Sequence, residues 1–262
     1  MLKGSSVTYE LHGKAALLTL DDPGTLNAMS RAMTESLLLA LDKAENEARA
    51  VVLTGAGKGF CSGARLSGGG FDPAHPSYDA GRSVEERYNP LILRITRYPL
   101  PLVIAVNGAA AGFGCSLALA GDMIVAGEKA FFVQAFRNIG LVPDGGSSHL
   151  LVKAIGRVRA NQLMLTGQRL SAEQALAWGM INQVVPQTEL ITAALDIAQT
   201  LASGPTLALQ LTKQLAWQAA DVSFEEQLHA ERVAQCRAGA TADHREGIAA
   251  FWEKRAAIFV GT

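Results

Sequence analysis

Cysteine and histidine are scarce in this 262-residue chain, and their placement excludes two kinds of site. The three cysteines, Cys61, Cys115 and Cys236, are odd in number and far apart. They build no disulfide framework and no C-x-x-C metal pattern, and they suit a reduced compartment. The histidines His12, His75, His149, His229 and His244 include no H-x-x-x-H pair, so no metal site is expected. Charge is nearly balanced: 23 Lys and Arg against 24 Asp and Glu leave a net of −1. The basic surplus that phosphate backbones demand is missing, so no nucleic-acid partner is expected. No apolar run reaches the roughly 20 residues that span a bilayer. The first residues, Met1 to Ser6, carry neither a secretory apolar core nor an Arg-rich transit pattern. The expectation is a cytoplasmic protein with no membrane partner. What the chain does have is apolar substance: 49% of residues are hydrophobic and 18% charged. That supports one large core, or one domain with a helical appendage.

Local patterns divide the chain into an α/β part and a helical part. Val7 to Leu20 reads as two short strands about the turn His12-Gly13-Lys14, stopped by Asp21-Asp22-Pro23-Gly24. Ser30 is placed to cap a helix from Arg31 to about Glu47, whose apolar Met33, Leu37, Leu41 and Ala44 recur at helical spacing. Buried strands are expected at Ala50 to Thr54, Leu102 to Val106 and Met123 to Ala126. Their alternation with helices predicts a parallel sheet. Ser67 to Ser83, rich in Gly, Pro, Ser and Asp, reads as a long loop, either a site cover or a surface insertion. After Ser171 the pattern is helical, with breaks at Gly179 and Ser203-Gly204-Pro205. The expected organisation is a core over residues 1–200 and a helical region over 201–262.

Three glycine-rich segments carry the candidate chemistry. Gly55 to Ala64 follows a strand. It lacks the Gly-Lys-Ser/Thr ending of a phosphate loop. Gly59-x-Cys61-x-Gly63 has the letters of a nucleophile elbow but leads into a loop rather than a helix. The remaining reading is a glycine turn that exposes the Ala64 N–H to a ligand. Val103 to Asp122 is a strand, a small-residue turn and a helix starting at Gly112 to Gly114. A helix start leaves N–H groups without partners, so the Phe113 N–H could pair with that of Ala64 as an oxyanion hole. One such donor is worth on the order of 3 kcal/mol to a transition state. The alternative is that these glycines only allow a helix to pack closely on a sheet. Ile139 to Ser148 holds Asp144 among glycines and apolar residues. Asp144 is either a helix cap or a buried carboxyl suited to proton transfer. Cys61 and Cys115 read as small packing residues, and His149 as a surface or structural group. Trp178, Trp217 and Trp252 read as core or subunit contacts.

Taken together these segments resemble the crotonase superfamily, also called the enoyl-CoA hydratase/isomerase family. The resemblance rests on Leu26-Asn27-Ala28-Met29, Phe60-Cys61-Ser62-Gly63-Ala64, Asn107-Gly108 through Asp122, Arg169 to Ala175, Gly179-Met180-Ile181, and Glu246-Gly247 through Arg255. It implies a spiral core of repeated ββα units, a C-terminal trimerisation region and a homotrimer or dimer of trimers. It also implies an acyl-CoA thioester substrate, with coenzyme A entering as part of that substrate and no separate cofactor. Carried over by position, Ala64 and Phe113 become the oxyanion donors. Lys58, Ser62, Gly63, Leu66, Gly112 and Phe136 line the substrate path, and Phe251 and Lys254 reach the nucleotide end of a neighbour's ligand. Family hydratases place two glutamates where this chain has Ser116 and Phe136. Neither residue can activate water unaided. Asn138 through Gly146 resembles instead a subset of isomerases, including the ring-oxygen isomerases of phenylacetyl-CoA breakdown, with Asp144 at their acid position. The resemblance therefore implies an enoyl-CoA isomerase with one carboxylate as proton shuttle. The family usually has Asp where Arg65 stands, which leaves Arg65 free to face a coenzyme A phosphate.

Overall fold

The computed structural model describes residues 6–66 and 73–262. Six residues of the expected 67–83 loop, 67–72, lie outside that range. Two strands, β1 (Val7–His12) and β2 (Ala15–Leu20), form the opening hairpin, and α1 (Arg31–Glu47) follows. The Ser30 side chain caps α1 by accepting from the Met33 N–H at 3.1 Å.

From there the chain repeats one step three times. It lays down a strand, then a short second strand, then a helix. The first turn is β3 (Ala50–Gly55), β4 (Gly59–Cys61) and α2 (Asn89–Thr96). Next come β5 (Leu102–Val106), β6 (Ala109–Ala111) and α3 (Phe113–Leu119). The third turn is β7 (Met123–Gly127), β8 (Phe131–Val133) and α4 (Ser147–Thr166). The strands opening these turns pair in parallel within a six-stranded sheet, β1-β2-β3-β5-β7-β10, completed by β10 (Gln183–Val185). The second strands build a four-stranded sheet, β4-β6-β8-β9, with β9 (Arg169–Ser171) antiparallel at its edge. This is the crotonase-like ββα spiral expected from the resemblance.

Alternating side chains of the larger sheet serve two cores. Leu18, Leu53, Ile104 and Ile124 face α1 and α2 through Met33, Leu37, Leu41, Leu91 and Ile95. Leu17, Val52, Val103 and Val125 face α6 (Leu190–Ser203) through Ala194, Ala198 and Ala202. The short α5 (Ala172–Ala177) closes the core, and Gly204-Pro205 then separates α6 from α7 (Thr206–Gln218). With α8 (Phe224–Gly239) and α9 (Ala242–Glu253), α7 makes the C-terminal helical layer. Arg49 ties that layer to the core by donating to Thr206 Oγ1, the Phe259 carbonyl and the Gly204 carbonyl. Among the described residues no helix is long and apolar enough to cross a membrane.

Several local expectations need correction. Gly59-Phe60-Cys61 is a strand rather than part of a free glycine turn. The helix that Asp144 was a candidate to cap starts at Ser147, with Gly146 at its cap, and turns sharply at Gly156. The expected loop boundary at Ser83 is matched by a helical turn at Val84–Tyr88, which leads directly into α2. Of the two readings of Trp252, core or subunit contact, the core one fails, because it is 76% exposed.

Candidate active site

Two asparagines, Asn27 buried and Asn107 half-buried, shape the turn that carries the first segment. Asn27, held in the left-handed region, donates to the carbonyls of Ala56 and Gly59 at 3.0 and 2.8 Å. Asn107 donates to the carbonyls of Gly57 and Gly59 at 3.0 and 3.2 Å. Between them they brace the β3–β4 connection, on whose exposed side Lys58 sits. Ser62 is half-buried and donates from Oγ to the Thr25 carbonyl at 2.8 Å. Arg65 lies 3.8 Å from Asp22, and Leu66 beside it is 44% exposed.

The direction of the Ala64 N–H follows from its own peptide unit. The Gly63 carbonyl accepts from the Met29 N–H at 2.8 Å, and Met29 and Ala64 form a parallel bridge. In a planar trans peptide the C=O and N–H point opposite ways, so the Ala64 N–H faces away from Met29. The same reasoning applies at α3. The Gly112 carbonyl accepts from the N–H groups of Cys115 and Ser116 at 2.9 and 3.3 Å, along the helix. The Phe113 N–H therefore projects out of the helix start. Gly63 brings the two peptides together. At φ +98° it takes a backbone conformation that suits glycine, and a methyl group there would lie 2.7 Å from the Ala111 carbonyl and 3.4 Å from the Phe113 nitrogen. Gly114 serves the packing alternative as well, since a methyl on it would meet the Cys61 carbonyl at 2.1 Å. Both readings of the glycine-rich segment hold, at different glycines.

Asp144 approaches this pair from the third turn of the spiral. Its backbone carbonyl accepts from Ser116 Oγ at 2.8 Å, which fastens the Asp144 turn to α3. Gly145, at φ +57°, packs so closely that a methyl would come 2.9 Å from the Phe113 ring and the Ser116 Cβ. The carboxyl is not a helix cap: no side-chain bond caps α4, and Asp144 Oδ1 is buried with no hydrogen-bond partner. Burial pushes its pKa from 3.8 up to about 6. Phe136 is buried, with its ring 3.8 Å from where a Gly112 Cβ would stand.

Tyr88, which sequence reasoning missed, completes the enclosure. Its ring stacks on Phe113 with centroids 4.4 Å apart and planes at 28°. Burial raises its phenol pKa, Arg87 opposes this, and the charge of Asp144 adds to the rise. Nothing in its neighbouring sequence marks it, because the chain between Leu66 and Val84 has no readable period.

Gly63, Ala64, Gly112, Phe113, Phe136 and Asp144 thus come together. Phe251 and Lys254 do not join them within one chain; they sit exposed at the end of α9. The elbow reading of Cys61 fails, because burial drives the thiol pKa up to about 12 and leaves no thiolate at neutral pH. The arrangement can hold a developing oxyanion at two N–H groups and move a proton at one carboxyl.

The Enoyl-CoA hydratase/isomerase family pattern matches residues 10–262. The chain belongs to this family. The 1,2-epoxyphenylacetyl-CoA isomerase of Escherichia coli K12 is 46% identical over 246 residues, covering 93% of this chain and 94% of the relative. A Rhodobacter capsulatus protein named probable enoyl-CoA hydratase is 40% identical over 256 residues, covering 98% of each. The crystal structure of an enoyl-CoA hydratase from Polaromonas sp. JS666 superposes with a TM-score of 0.91 at 35% identity, covering 97% of this chain and 99% of that one. These family members carry hydratase and isomerase names alike, so membership alone leaves the reaction to the site's own residues.

Proposed function

We propose that this member of the enoyl-CoA hydratase/isomerase family is an acyl-CoA isomerase that shifts a 3-enoyl thioester to its 2-enoyl form. The observation that carries the reading is the buried, unpartnered Oδ1 of Asp144 beside two convergent backbone N–H groups. Ala64 and Phe113 polarise the thioester carbonyl, which acidifies the hydrogen at C2. Asp144 takes that proton, leaving a dienolate whose oxygen rests on the two donors. The protonated Asp144 returns the proton at C4, the double bond settles between C2 and C3, and the carboxylate is regenerated. Water has no part in this sequence, which suits Phe136 and Ser116 where hydratases keep glutamates. Ser116 is committed to the Asp144 backbone.

A second reading has its own support. The 46% identity to a 1,2-epoxyphenylacetyl-CoA isomerase favours an epoxidised ring held by the same thioester contacts. Lys58, Ser62, Leu66 and Arg65 would face the coenzyme A portion. Phe251 and Lys254 would contact the nucleotide of a neighbouring subunit's substrate in a homotrimer or dimer of trimers. Support for that assembly is the exposure of Phe224, Phe251, Trp252 and Ile258, each above 70%.

Both substrates are to be assayed with wild type and Asp144→Asn, which keeps the shape and loses the base. A fall of about 100-fold or more in kcat, with acyl-CoA binding retained, is the expected result. Equal rates would move the base elsewhere. Turnover of the epoxide alone would replace the first reading with the second.

A further inference from the structure

Tyr88 touches the supports of both oxyanion donors at once. On one side its hydroxyl donates to the Met29 carbonyl at 3.1 Å. Met29 is the residue whose N–H holds the Gly63 carbonyl and so sets the tilt of the Gly63–Ala64 peptide. On the other side its ring lies on the Phe113 ring, whose own backbone carries the second donor. Tyr88 is only 3% exposed and Phe113 is fully buried, so neither ring can turn without moving the other. The two donors come from different turns of the spiral, after β4 and after β6, and the sheet register shifts between Gly59 and Cys61. A side chain that spans the gap can hold their separation constant.

We propose that Tyr88 is a positioning residue that sets the spacing of the Ala64 and Phe113 N–H groups through one hydrogen bond and one ring stack. The proposal rests on the two-donor reading of this site. With its hydroxyl bonded to Met29 and its ring on Phe113, Tyr88 acts through those two residues. Its position extends the argument to the chain entering the site. Tyr88 ends the helical turn Val84–Tyr88, so it also anchors the entry into α2 to the core. Arg87, with its guanidinium carbon 5.4 Å from the Tyr88 ring centroid and its side chain hydrogen-bonded to Ser83 Oγ, steadies the same turn.

The test separates positioning from folding. Tyr88→Phe removes the bond to Met29 and keeps the stack; Tyr88→Leu removes both. The probe is phenylacetyl-CoA labelled with carbon-13 at the carbonyl. Its infrared stretch moves to lower frequency when two N–H donors hold the oxygen. The expected result is a full shift in wild type, a smaller one in Tyr88→Phe and the smallest in Tyr88→Leu. The dissociation constant should stay within about twofold, because most affinity comes from the coenzyme A portion. Isomerase kcat should fall about threefold in Tyr88→Phe and tenfold or more in Tyr88→Leu, with KM little changed. If Tyr88→Leu does not fold, Tyr88→Phe carries the test alone. A wild-type carbonyl that fails to shift overturns the two-donor reading and this proposal with it. A wild-type shift reproduced in full by the folded variants, with unchanged kcat, overturns the role of Tyr88 only.

Discussion

At the scale of single residues, the proposed chemistry turns on the half-buried carboxyl of Asp144, whose Oδ1 has no hydrogen-bond partner. An ionised carboxylate in that position loses part of its water, and Oδ1 gains no hydrogen bond in return, so its proton is held up to about pH 6. The proposed base must be ionised to act. Isomerase kcat/KM should therefore rise with pH and level off above about 6, and a profile flat from pH 5 to 8 would exclude Asp144. The same shift has a stability sign. The folded state binds the proton more tightly than the unfolded chain does, so this group favours folding below pH 4 and loses that contribution as pH climbs through 6. Asp144→Asn escapes the penalty, and at pH 8 it should be more stable than wild type by on the order of 1 kcal/mol, discounted for partial exposure. The segment around Asp144 could be read as a cap or as an acid, and only the family resemblance chose between them. The structure removes the cap reading: Gly146, two residues later, takes the cap position. Tyr88 was invisible by contrast. A lone tyrosine after an aperiodic stretch gives no sign that it will stack on a ring 25 positions downstream.

Among the elements, length and capping decided what could be read. The helix from Arg31 announced itself through Ser30 and a clean apolar stripe, and the strands at Ala50, Leu102 and Met123 through short, largely buried apolar runs. The second sheet escaped because β4, β6, β8 and β9 have three residues each, too few for alternation to register. Its side chains, such as Ala109-Ala110-Ala111, also look as suited to a turn as to a strand. Helix α4 hides a different feature. Gly156 sits at φ 75° and ψ 157°, a region that belongs to glycine, and bends the helix between Ile155 and Arg157. A methyl there would meet nothing within 4 Å, so any cost of Gly156→Ala comes from backbone strain alone. That cost should be about 1–3 kcal/mol, measured as a lower midpoint in urea with an unchanged slope. A neutral substitution would mean that the helix straightens.

At the scale of the whole molecule, the helical layer leaves apolar surface uncovered that the core does not. Phe224, Phe251, Trp252 and Ile258 stand on or beside α8 and α9, and a single chain has no more core to offer them. Light scattering on the purified protein should return three or six times the mass of one chain, and a monomer at micromolar concentration would refute the proposed assembly. The sequence resemblance anticipated the region, while the extent of the exposed face came only from the coordinates, since helical periodicity does not say which stripe finds a partner.

The spiral has a consequence for how such a protein can change. Ala64 follows β4, Phe113 follows β6 and Asp144 comes after β8, so each proposed functional group belongs to a different storey of one staircase. In the proposed reaction the lower two storeys contribute backbone N–H groups, while the third contributes a side chain. Rewriting the third landing, or exchanging Ser116 and Phe136 for acids, would alter the reaction and leave the thioester grip in place. Inheritance can therefore keep the handle and replace the tool, one step at a time, without passing through a molecule that no longer holds its substrate.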